Sequence, residues 1–346
     1  MGREPNLWTD ASIKLVKENF VAAAVPTDVS RAKGPEGEFL RGAGIDKHWV
    51  TSTGYMSCVS PSGKWLGREP SGKVLEEFEK LPKDEREPNA VKVPDLKPLE
   101  GVIPIPPEGG LVLRVHGRFM GRDDKENLRA VKGDDFPQIR GKESSIRSHQ
   151  FLFEPNTEYM WLTKEEWQSL VPAKPVKGDK LPVASAISER MARFHLSPRR
   201  ALTSEDGIVA QKDIKSAKLT LMVDDVSPQR IRLLLAGFVH TGSDYDKSKA
   251  TSPNGPLGFG YETPIHGILE YDRKKEAFVR FDIVAPGEVW GRWGDANGKS
   301  QTIERPGQSP IGFAFELATG DSPTDRLPPA GNGGRALRAG YFGASK

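Results

Sequence analysis

The sequence predicts an α+β protein with a small N-terminal domain and a larger antiparallel β domain, a barrel or a sandwich with a few helices. The first observation is that the 28 prolines and 36 glycines indicate many turns, which favours a β-rich chain. Secondly, five strand-like segments joined by short polar connections follow residue 216, which is typical of antiparallel pairing. Finally, 346 residues are enough for about two domains of ~150 residues each.

Residues 1–81 are predicted to form the first domain. The segment WTDASIKLVKENF predicts a helix, in which Thr9 or Asp10 can cap the free N–H groups of the first turn. The segment FVAAAV then predicts a short buried strand. A hairpin follows, with Cys58 on its first strand and SPSG as its turn. The last predicted element is a helix capped by Ser71.

A linker is predicted over residues 82–108. Prolines recur throughout this segment with charged residues between them, and no sustained apolar period is present. Proline fixes φ and lacks an N–H group, so the segment should favour extended conformations and separate two units.

Residues 109–320 are predicted to form the β domain. GGLVLRVHGRFM alternates apolar and polar side chains, as a half-buried strand does. Two helices follow, LTKEEWQSLVP with Thr163 and Glu166 at capping-box spacing, and VASAISERMARFHL. The remaining strands are AKLTLMVDDV, QRIRLLLAGFVH, ETPIHGILEYD, EAFVRFDIVAPGEVW and SPIGFAFELA. The tail over residues 321–346 is rich in Gly, Pro and Ala, and is predicted to be extended.

Composition and charge argue against several classes of function. A net charge of +3 gives no basic field for nucleic acid, and no apolar run approaches the ~20 residues of a membrane span. Because the N-terminus lacks a signal-peptide pattern, the expected location is the cytoplasm, or the periplasm if a signal peptide was removed. Cys58 is the single cysteine, which excludes an intramolecular disulfide, CxxC redox chemistry and a cysteine-rich zinc site.

The segment from His266 to Gly291 predicts a hairpin with chemically useful side chains. Asp272 opens its turn, and alternation places Phe278, Arg280 and Asp282 on one face, with Val279, Phe281 and Ile283 on the other. The polar face either meets water or lines the inside of a barrel as its ligand face. Trp290 either stacks on a flat ligand or packs in the core.

The histidines form no local metal motif, because neither an HxH nor an HExxH pair is present. A metal site could form only by assembly from distant strands, with His116, His240 and His266 as its candidates. The sequence also lacks a GxSxG elbow, a P-loop and a dinucleotide fingerprint, so no cofactor is predicted.

Several segments together resemble a known family. WTDASIKLVKENFVAAAV, GYMSCVSPSGKWLG and KVLEEFEKLPKDER are similar to the N-terminal part of uncharacterised thioredoxin-like proteins of planctomycete-type bacteria. YMWLTKEEWQSLVP, ERMARFHL, LEYDRKKEAFVRFDIVAPGEVWG and PIGFAFELA resemble the second region of that family. The resemblance covers most of the chain and implies a thioredoxin-like first domain without CxxC. It implies no activity, and SPRRALTSEDG departs from the Asp-Asn-Arg-Gly-like stretch that follows the RMARFHL segment in the family.

These observations favour a non-catalytic protein that binds a small molecule or a protein partner through its β domain. The candidate ligand-binding residues are His240, Glu262, His266, Arg280, Asp282 and Trp290. The alternative is an enzyme whose site assembles from β-domain residues, with the candidates His195, His240, His266, Glu262 and Asp282. Thiol redox chemistry through Cys58 is the least favoured hypothesis.

Overall fold

A computed structural model describes twelve ranges of the chain, which divides into two compact units, Met1–Val102 and Ile103–Lys346. The boundary falls inside the proline-rich segment 82–108. The described residues are 10–21, 35–44, 57–68, 70–88, 90, 104–136, 153–198, 208–248, 259–293, 303–304, 307–330 and 335–343.

The first unit combines short helices with one hairpin. Its described elements are α1 (Asp10–Asn19), α2 (Pro35–Gly42), β1 (Cys58–Val59), β2 (Trp65–Gly67), α3 (Gly72–Glu79) and α4 (Lys83–Arg86). Strands β1 and β2 pair antiparallel, as the SPSG turn predicts. Ser71 caps α3, since its hydroxyl accepts a hydrogen bond from the Val74 N–H at 3.4 Å. The predicted strand FVAAAV lies largely outside the described residues, and the thioredoxin-like fold stays a prediction.

The predicted linker is not extended throughout, because α4 forms directly after Pro82. Proline is well tolerated at a helix N-terminus, where its missing N–H group has no partner to lose. Residues 91–103 lie outside the described part of the chain, so the prediction of an extended linker there stays a prediction.

The second unit is built on one large antiparallel sheet. Its long strands are β3 (Leu111–Arg122), β7 (Ile214–Val226), β8 (Arg230–Gly242), β9 (Gly260–Asp272), β10 (Ala277–Trp290) and β13 (Ser309–Leu317). The shorter strands are β4 (Leu128–Ala130), β5 (Asn156–Leu162), β6 (Lys180–Pro182), and the separate pair β11 (Arg292–Trp293) and β12 (Ile303–Glu304).

The spatial order of the sheet is β4-β3-β13-β10-β9-β8-β7-β6, and β5 pairs with β3. All pairings are antiparallel, as the short connections predict. Strands β7 to β10 follow one another as a meander, whereas β13 brings the chain back to β3. The described part of this unit is therefore built on one large sheet with a few helices and a separate two-stranded pair, rather than on the two packed sheets of a sandwich.

Helices and single turns connect or cover the strands. They are α5 (Lys164–Gln168), α6 (Ser185–Arg190), a π-helix (Met191–His195), α7 (Arg335–Arg338), and 3₁₀ turns at Gly133–Asp135, Gln211–Asp213 and Pro323–Arg326. The capping box predicted for α5 is confirmed, because Thr163 and Glu166 each accept a hydrogen bond from the backbone N–H of the other. The tail expected to be extended instead contains a 3₁₀ turn and α7.

The inner face of the sheet holds the core. Leu113 on β3, Met160 on β5, Leu219 on β7 and Ile187 on α6 line a single void of about 20 Å³ together with other apolar side chains. Strands from both ends of the sheet thus reach one core, so the sheet curls around α6. A void of this size has room for about one water molecule, and the inner face therefore offers no ligand chamber there.

Candidate functional site

The polar side chains of the β9–β10 hairpin lie on the outer face of the sheet. From Phe281 onward the buried positions of β10 alternate with more exposed ones until Trp290; these buried positions are Phe281, Ile283, Ala285, Gly287 and Val289. The interpretation in which the polar face lines the inside of a barrel is therefore wrong. The apolar core occupies the inner side of the sheet, so the polar side chains of the hairpin lie on the opposite side.

A β-bulge shifts the register near the start of β10. Phe278 pairs with Tyr271 and Arg280 pairs with Glu270, which leaves Val279 as the extra residue. Phe278 is consequently buried, together with Phe281 and Ile283, rather than sharing a face with Arg280 and Asp282. Strict alternation cannot reveal such an extra residue, although the unusual spacing of Phe278 and Phe281 is compatible with it.

Arg280 and Asp282 form an exposed ion pair. The Arg280 Nε group donates to Asp282 Oδ2 at 2.6 Å, and Glu270 Oε1 lies 3.7 Å from the guanidinium. The hydrogen bond to Asp282 raises the pKa of Arg280 above its usual value. Because the guanidinium already has these partners, a ligand would have to compete with them.

Two of the candidate residues, His240 and Glu262, meet at the other end of the same face, together with Glu288, which the sequence did not single out. Glu288 on β10 is opposite Glu262 on β9, and Glu262 is opposite His240 on β8. We call Glu288, Glu262 and His240 the acidic row. Two carboxylates directly opposite each other on neighbouring strands repel, so this arrangement requires compensation by donors or cations.

The compensation inside the acidic row is partial. Arg122 donates to one oxygen of Glu288, and the Gln308 amide donates to Glu262 Oε1 at 3.2 Å. The Oε2 atom of Glu288 and the Nε2 atom of His240 are shielded from solvent and make no hydrogen bond among the described residues. Asp244 Oδ1 lies 3.6 Å from His240 Nε2, which is within ion-pair range but too long for a hydrogen bond.

Trp290 packs against His240 of the acidic row and is buried. It is 1% exposed, and its indole N–H donates to the Ser243 carbonyl at 3.0 Å. Its ring packs against His240 and Tyr245, at centroid distances of 6.0 and 5.7 Å. The hypothesis that Trp290 stacks on a ligand is therefore wrong. Trp290 is packed among other side chains, as the alternative hypothesis of core packing predicts.

An apolar band crosses the outer face next to the acidic row. It consists of Phe238, Pro264, Val284 and Pro286, all of which are exposed. Phe238 is 41% exposed and Val284 is 51% exposed. Pro264 is opposite Phe238, and the β9–β10 register sets Pro286 opposite Pro264.

His266 lies at the margin of this band. It is exposed, opposite Val284 on one side and Ala236 on the other. All six predicted ligand-binding residues thus belong to the outer side of β8, β9 and β10. Four of them form two polar groups, His240 with Glu262 and Arg280 with Asp282, and the apolar band lies between these groups. The band itself was not foreseen from the sequence.

A second polar cluster surrounds the buried side chains of His195 and Tyr341. His195 lies on the π-helix, with Nδ1 2.9 Å from Glu158 Oε1 and Nε2 2.7 Å from the Tyr341 hydroxyl. The Trp161 N–H donates to the same hydroxyl at 3.0 Å. Since Tyr341 is 2% exposed, this cluster fixes residue 341 against β5 rather than meeting a ligand.

Arg190 adds a charged contact to that cluster. Its guanidinium donates to both carboxylate oxygens of Glu166 and, at 2.6 Å, to the backbone carbonyl of Tyr341. Burial raises the pKa of Tyr341, so the hydroxyl stays protonated and can donate to His195. No local pattern in the sequence predicts this cluster, because its partners are separated by up to 183 positions, from Glu158 to Tyr341.

The residues of the alternative enzyme hypothesis do not form one site among the described residues. His195 is buried beside Tyr341, whereas His240 and Glu262 lie in the acidic row and His266 and Asp282 lie elsewhere on the outer face. Within the described part of the chain no group of three or more His, Cys, Asp or Glu side chains could hold a metal ion. His116 instead contacts Thr157, 3.0 Å away.

Cys58 is buried on β1. Burial raises the pKa of its thiol, which lowers the fraction of the reactive thiolate at neutral pH. This environment disfavours the thiol redox hypothesis.

No protein-family model matches the chain, and no curated protein or solved structure is significantly similar to it. Among the described helices, none is long and apolar enough to cross a membrane.

Proposed function

We propose that the chain is a binding protein that holds a protein partner against the outer face of its large sheet. The observation that carries this proposal is the exposed apolar band. An antiparallel sheet that buries one face usually presents polar side chains on the other. Here the solvent side presents Phe238, Pro264, Val284 and Pro286 on three adjacent strands.

The surroundings of the band match the anatomy of a protein–protein interface. Such interfaces have an apolar centre within a polar rim. The acidic row lies at one end of the band, and Arg280, Asp282 and Glu270 lie at the other. His266 lies between these groups, so the predicted ligand-binding residues supply the rim rather than the centre.

The two prolines make the band stiff. Proline is usually excluded from central strands because it cannot donate to the ladder. Pro264 and Pro286 nevertheless lie on β9 and β10, and the matched β9–β10 partners are interrupted between Val284↔His266 and Glu288↔Glu262. Fixed φ angles leave little backbone freedom to lose on binding, which favours affinity.

A thioredoxin-like fold for residues 1–81 belongs to the same proposal. Its support is the order of a helix, an antiparallel hairpin and a capped helix, together with the resemblance of the sequence segments. With Cys58 buried, this unit would act as a scaffold rather than as a disulfide reductase.

Photo-crosslinking from the apolar band tests the proposed function. A benzoylphenylalanine at Val284 should crosslink one partner in the source cell, while the same group at Leu128, which is 47% exposed on β4, should not. The purified partner should then bind the intact chain in titration calorimetry. Phe238→Glu should weaken that binding at least about tenfold, because it places a charge at the centre of the interface.

The matched control is Leu128→Glu, which places the same charge on an exposed apolar residue outside the band. Equal crosslinking from both positions, or unchanged affinity in the Phe238→Glu chain, would exclude the outer face as the binding surface.

A further inference from the structure

We infer that the partner segment is basic, and that the acidic row receives a lysine or arginine side chain lying next to apolar residues on the band. This inference rests on the proposed function and specifies the chemistry of the partner. The acidic border of the band is complementary in charge to a basic segment that covers the band.

The acidic row and the band share the same strands. Glu288 lies two residues beyond Pro286 on β10, and Glu262 lies two residues before Pro264 on β9. Two residues of a strand span about 6.6 Å, so the carboxylates border the apolar surface directly. A bound segment whose apolar side chains cover the prolines therefore brings its next side chain on that face to the acidic row.

The acidic row has unused hydrogen-bonding capacity. Arg122 already pairs with Glu288, but Glu262 accepts one hydrogen bond, from the neutral Gln308 amide, and forms no ion pair among the described residues. An ammonium or guanidinium group beside Glu262 would therefore supply a cation there and reduce the repulsion between Glu262 and Glu288. Charge-assisted hydrogen bonds of this kind are stronger than those to neutral donors.

Basic side chains also lie near the band, but they are further than the two glutamates from its prolines, Pro264 and Pro286. Lys218 on β7 is opposite Phe238, and Arg118 on β3 is opposite Gly312, which is itself opposite Pro286. Arg118 and Pro286 are thus two strands apart, as are Lys218 and Pro264, or about 9.6 Å. On β9 and β10 themselves, the charged residues nearest to these two prolines are the glutamates, each two residues away.

The spacing also defines the sequence of the partner. An extended segment repeats its side-chain direction every two residues. One apolar residue over Val284 and a second over Pro286 place the cation two residues further, over Glu288. The expected motif is apolar-x-apolar-x-basic, or the reverse order if the segment runs in the opposite direction.

Three fluorescein-labelled peptides test the inference by fluorescence anisotropy with the full chain, up to about 1 mM protein. Their sequences are Gly-Ser-Val-Ser-Val-Ser-Lys-Ser-Gly and the same peptide with norleucine or glutamate in place of lysine. The lysine peptide should bind about tenfold more tightly than the norleucine peptide. That preference should decrease when the salt concentration rises, because the acidic row is partly exposed.

The deciding variant carries Glu262→Gln and Glu288→Gln, which should abolish the preference for lysine. The matched control is Glu316→Gln, which neutralises a carboxylate on β13 that is 50% exposed and lies outside the rim of the band, and it should leave the preference unchanged. Melting curves check that each variant is folded, and the single change Glu262→Gln replaces the double variant if that chain does not fold.

The inference and the proposed function fail differently. If all three peptides bind with equal affinity and the Phe238→Glu chain no longer binds them, the inference is overturned while the proposed function remains intact. A lysine preference that survives both glutamate changes would also overturn it. If none of the peptides binds, the inference fails, while crosslinking from Val284 still decides whether the outer face binds a partner.

Discussion

Gly260 shows how a single residue shapes the candidate surface. A Cβ atom at this position would lie 2.1 Å from the Ser243 carbonyl oxygen and 2.4 Å from the Trp290 ring. Only glycine at position 260 therefore allows Trp290 to pack against His240 while the indole N–H donates to the Ser243 carbonyl. The acidic row depends on this close approach, because His240 rests on that ring.

Gly260→Ala should destabilise the second unit by about 1–3 kcal/mol, since the backbone of Ser243 cannot move away cheaply. Thermal unfolding measures this loss, and a red shift of tryptophan emission would report that Trp290 has become wetter. The matched control is Gly312→Ala on β13, where the nearest atom to an added Cβ is 3.9 Å away. If both changes have equal effects, the close packing at Gly260 does not matter.

At the level of elements, the tail from Gly320 to Gly343 is an integral part of the second unit. Tyr341, Ala336 and Ala330 are buried in a cluster with Tyr159 and Trp161 of β5 and with Phe194. Asp325 fixes the start of the tail, because it accepts two hydrogen bonds from Arg114 on β3, at 2.8 and 3.0 Å. The tail thus covers the outer side of β3 and β5, as the apolar band is expected to be covered by a partner.

The Arg114 side chain lowers the pKa of Asp325 below its usual value. A depressed carboxyl pKa stabilises the fold above the unfolded pKa of about 3.9, and this contribution disappears as the pH falls through the lower folded value. Asp325→Asn should therefore reduce the urea midpoint at pH 6, and the difference from the unmodified chain should shrink as the pH falls below about 4. Urea unfolding at several pH values measures this.

The matched control is Glu316→Gln. Glu316 Oε1 also lies 3.4 Å from the Arg114 guanidinium, but the Glu316 side chain is 50% exposed. It should change the urea midpoint little at any pH. If the urea midpoints of the Asp325→Asn chain and the unmodified chain instead differ by the same amount at every pH below 6, the ion pair with Arg114 is not the cause of the difference.

The elements that the sequence predicted correctly carry local signals. Thr163 and Glu166 predicted their own capping box, and Asp272 accepts hydrogen bonds from the backbone of Lys274 and Lys275 as its turn requires. The long alternating strands were also recognisable. Each of these signals lies within a few residues of the structure it specifies.

What the sequence could not predict depends on distant partners. The strand β5 contains four consecutive buried residues from Tyr159 to Leu162, because the core covers one side and the tail covers the other. Its alternation is therefore absent. The acidic row was partly anticipated through His240 and Glu262. Glu288 joins it, and Arg122 reaches Glu288, only because of the strand order β3-β13-β10-β9.

In the whole molecule, the large sheet and its apolar core are built from residues of the second unit alone. Its strands, its inner helix and its tail all lie between Ile103 and Lys346. A compact unit with a complete core can fold alone. The proposed binding surface also lies wholly within this unit.

Residues 103–346, produced alone, should unfold cooperatively. Their melting temperature should lie within about 4 °C of the corresponding transition in the full chain, which corresponds to a change of about 1 kcal/mol or less. Circular dichroism and calorimetry measure this. A fragment that lacks a cooperative transition would show that the second unit needs residues 1–102 in order to fold.

The connection from β13 back to β3 has a consequence for the order of folding. Strands β7 to β10 form a meander whose neighbours are close in sequence, whereas Leu317 pairs with Leu113 across about 200 intervening residues. The loop-closure entropy of that long-range pair must be overcome before its contacts stabilise the chain. The meander should therefore form the folding nucleus and β3 should join late, so the surface that bears the apolar band is assembled before the strand that supplies Arg122.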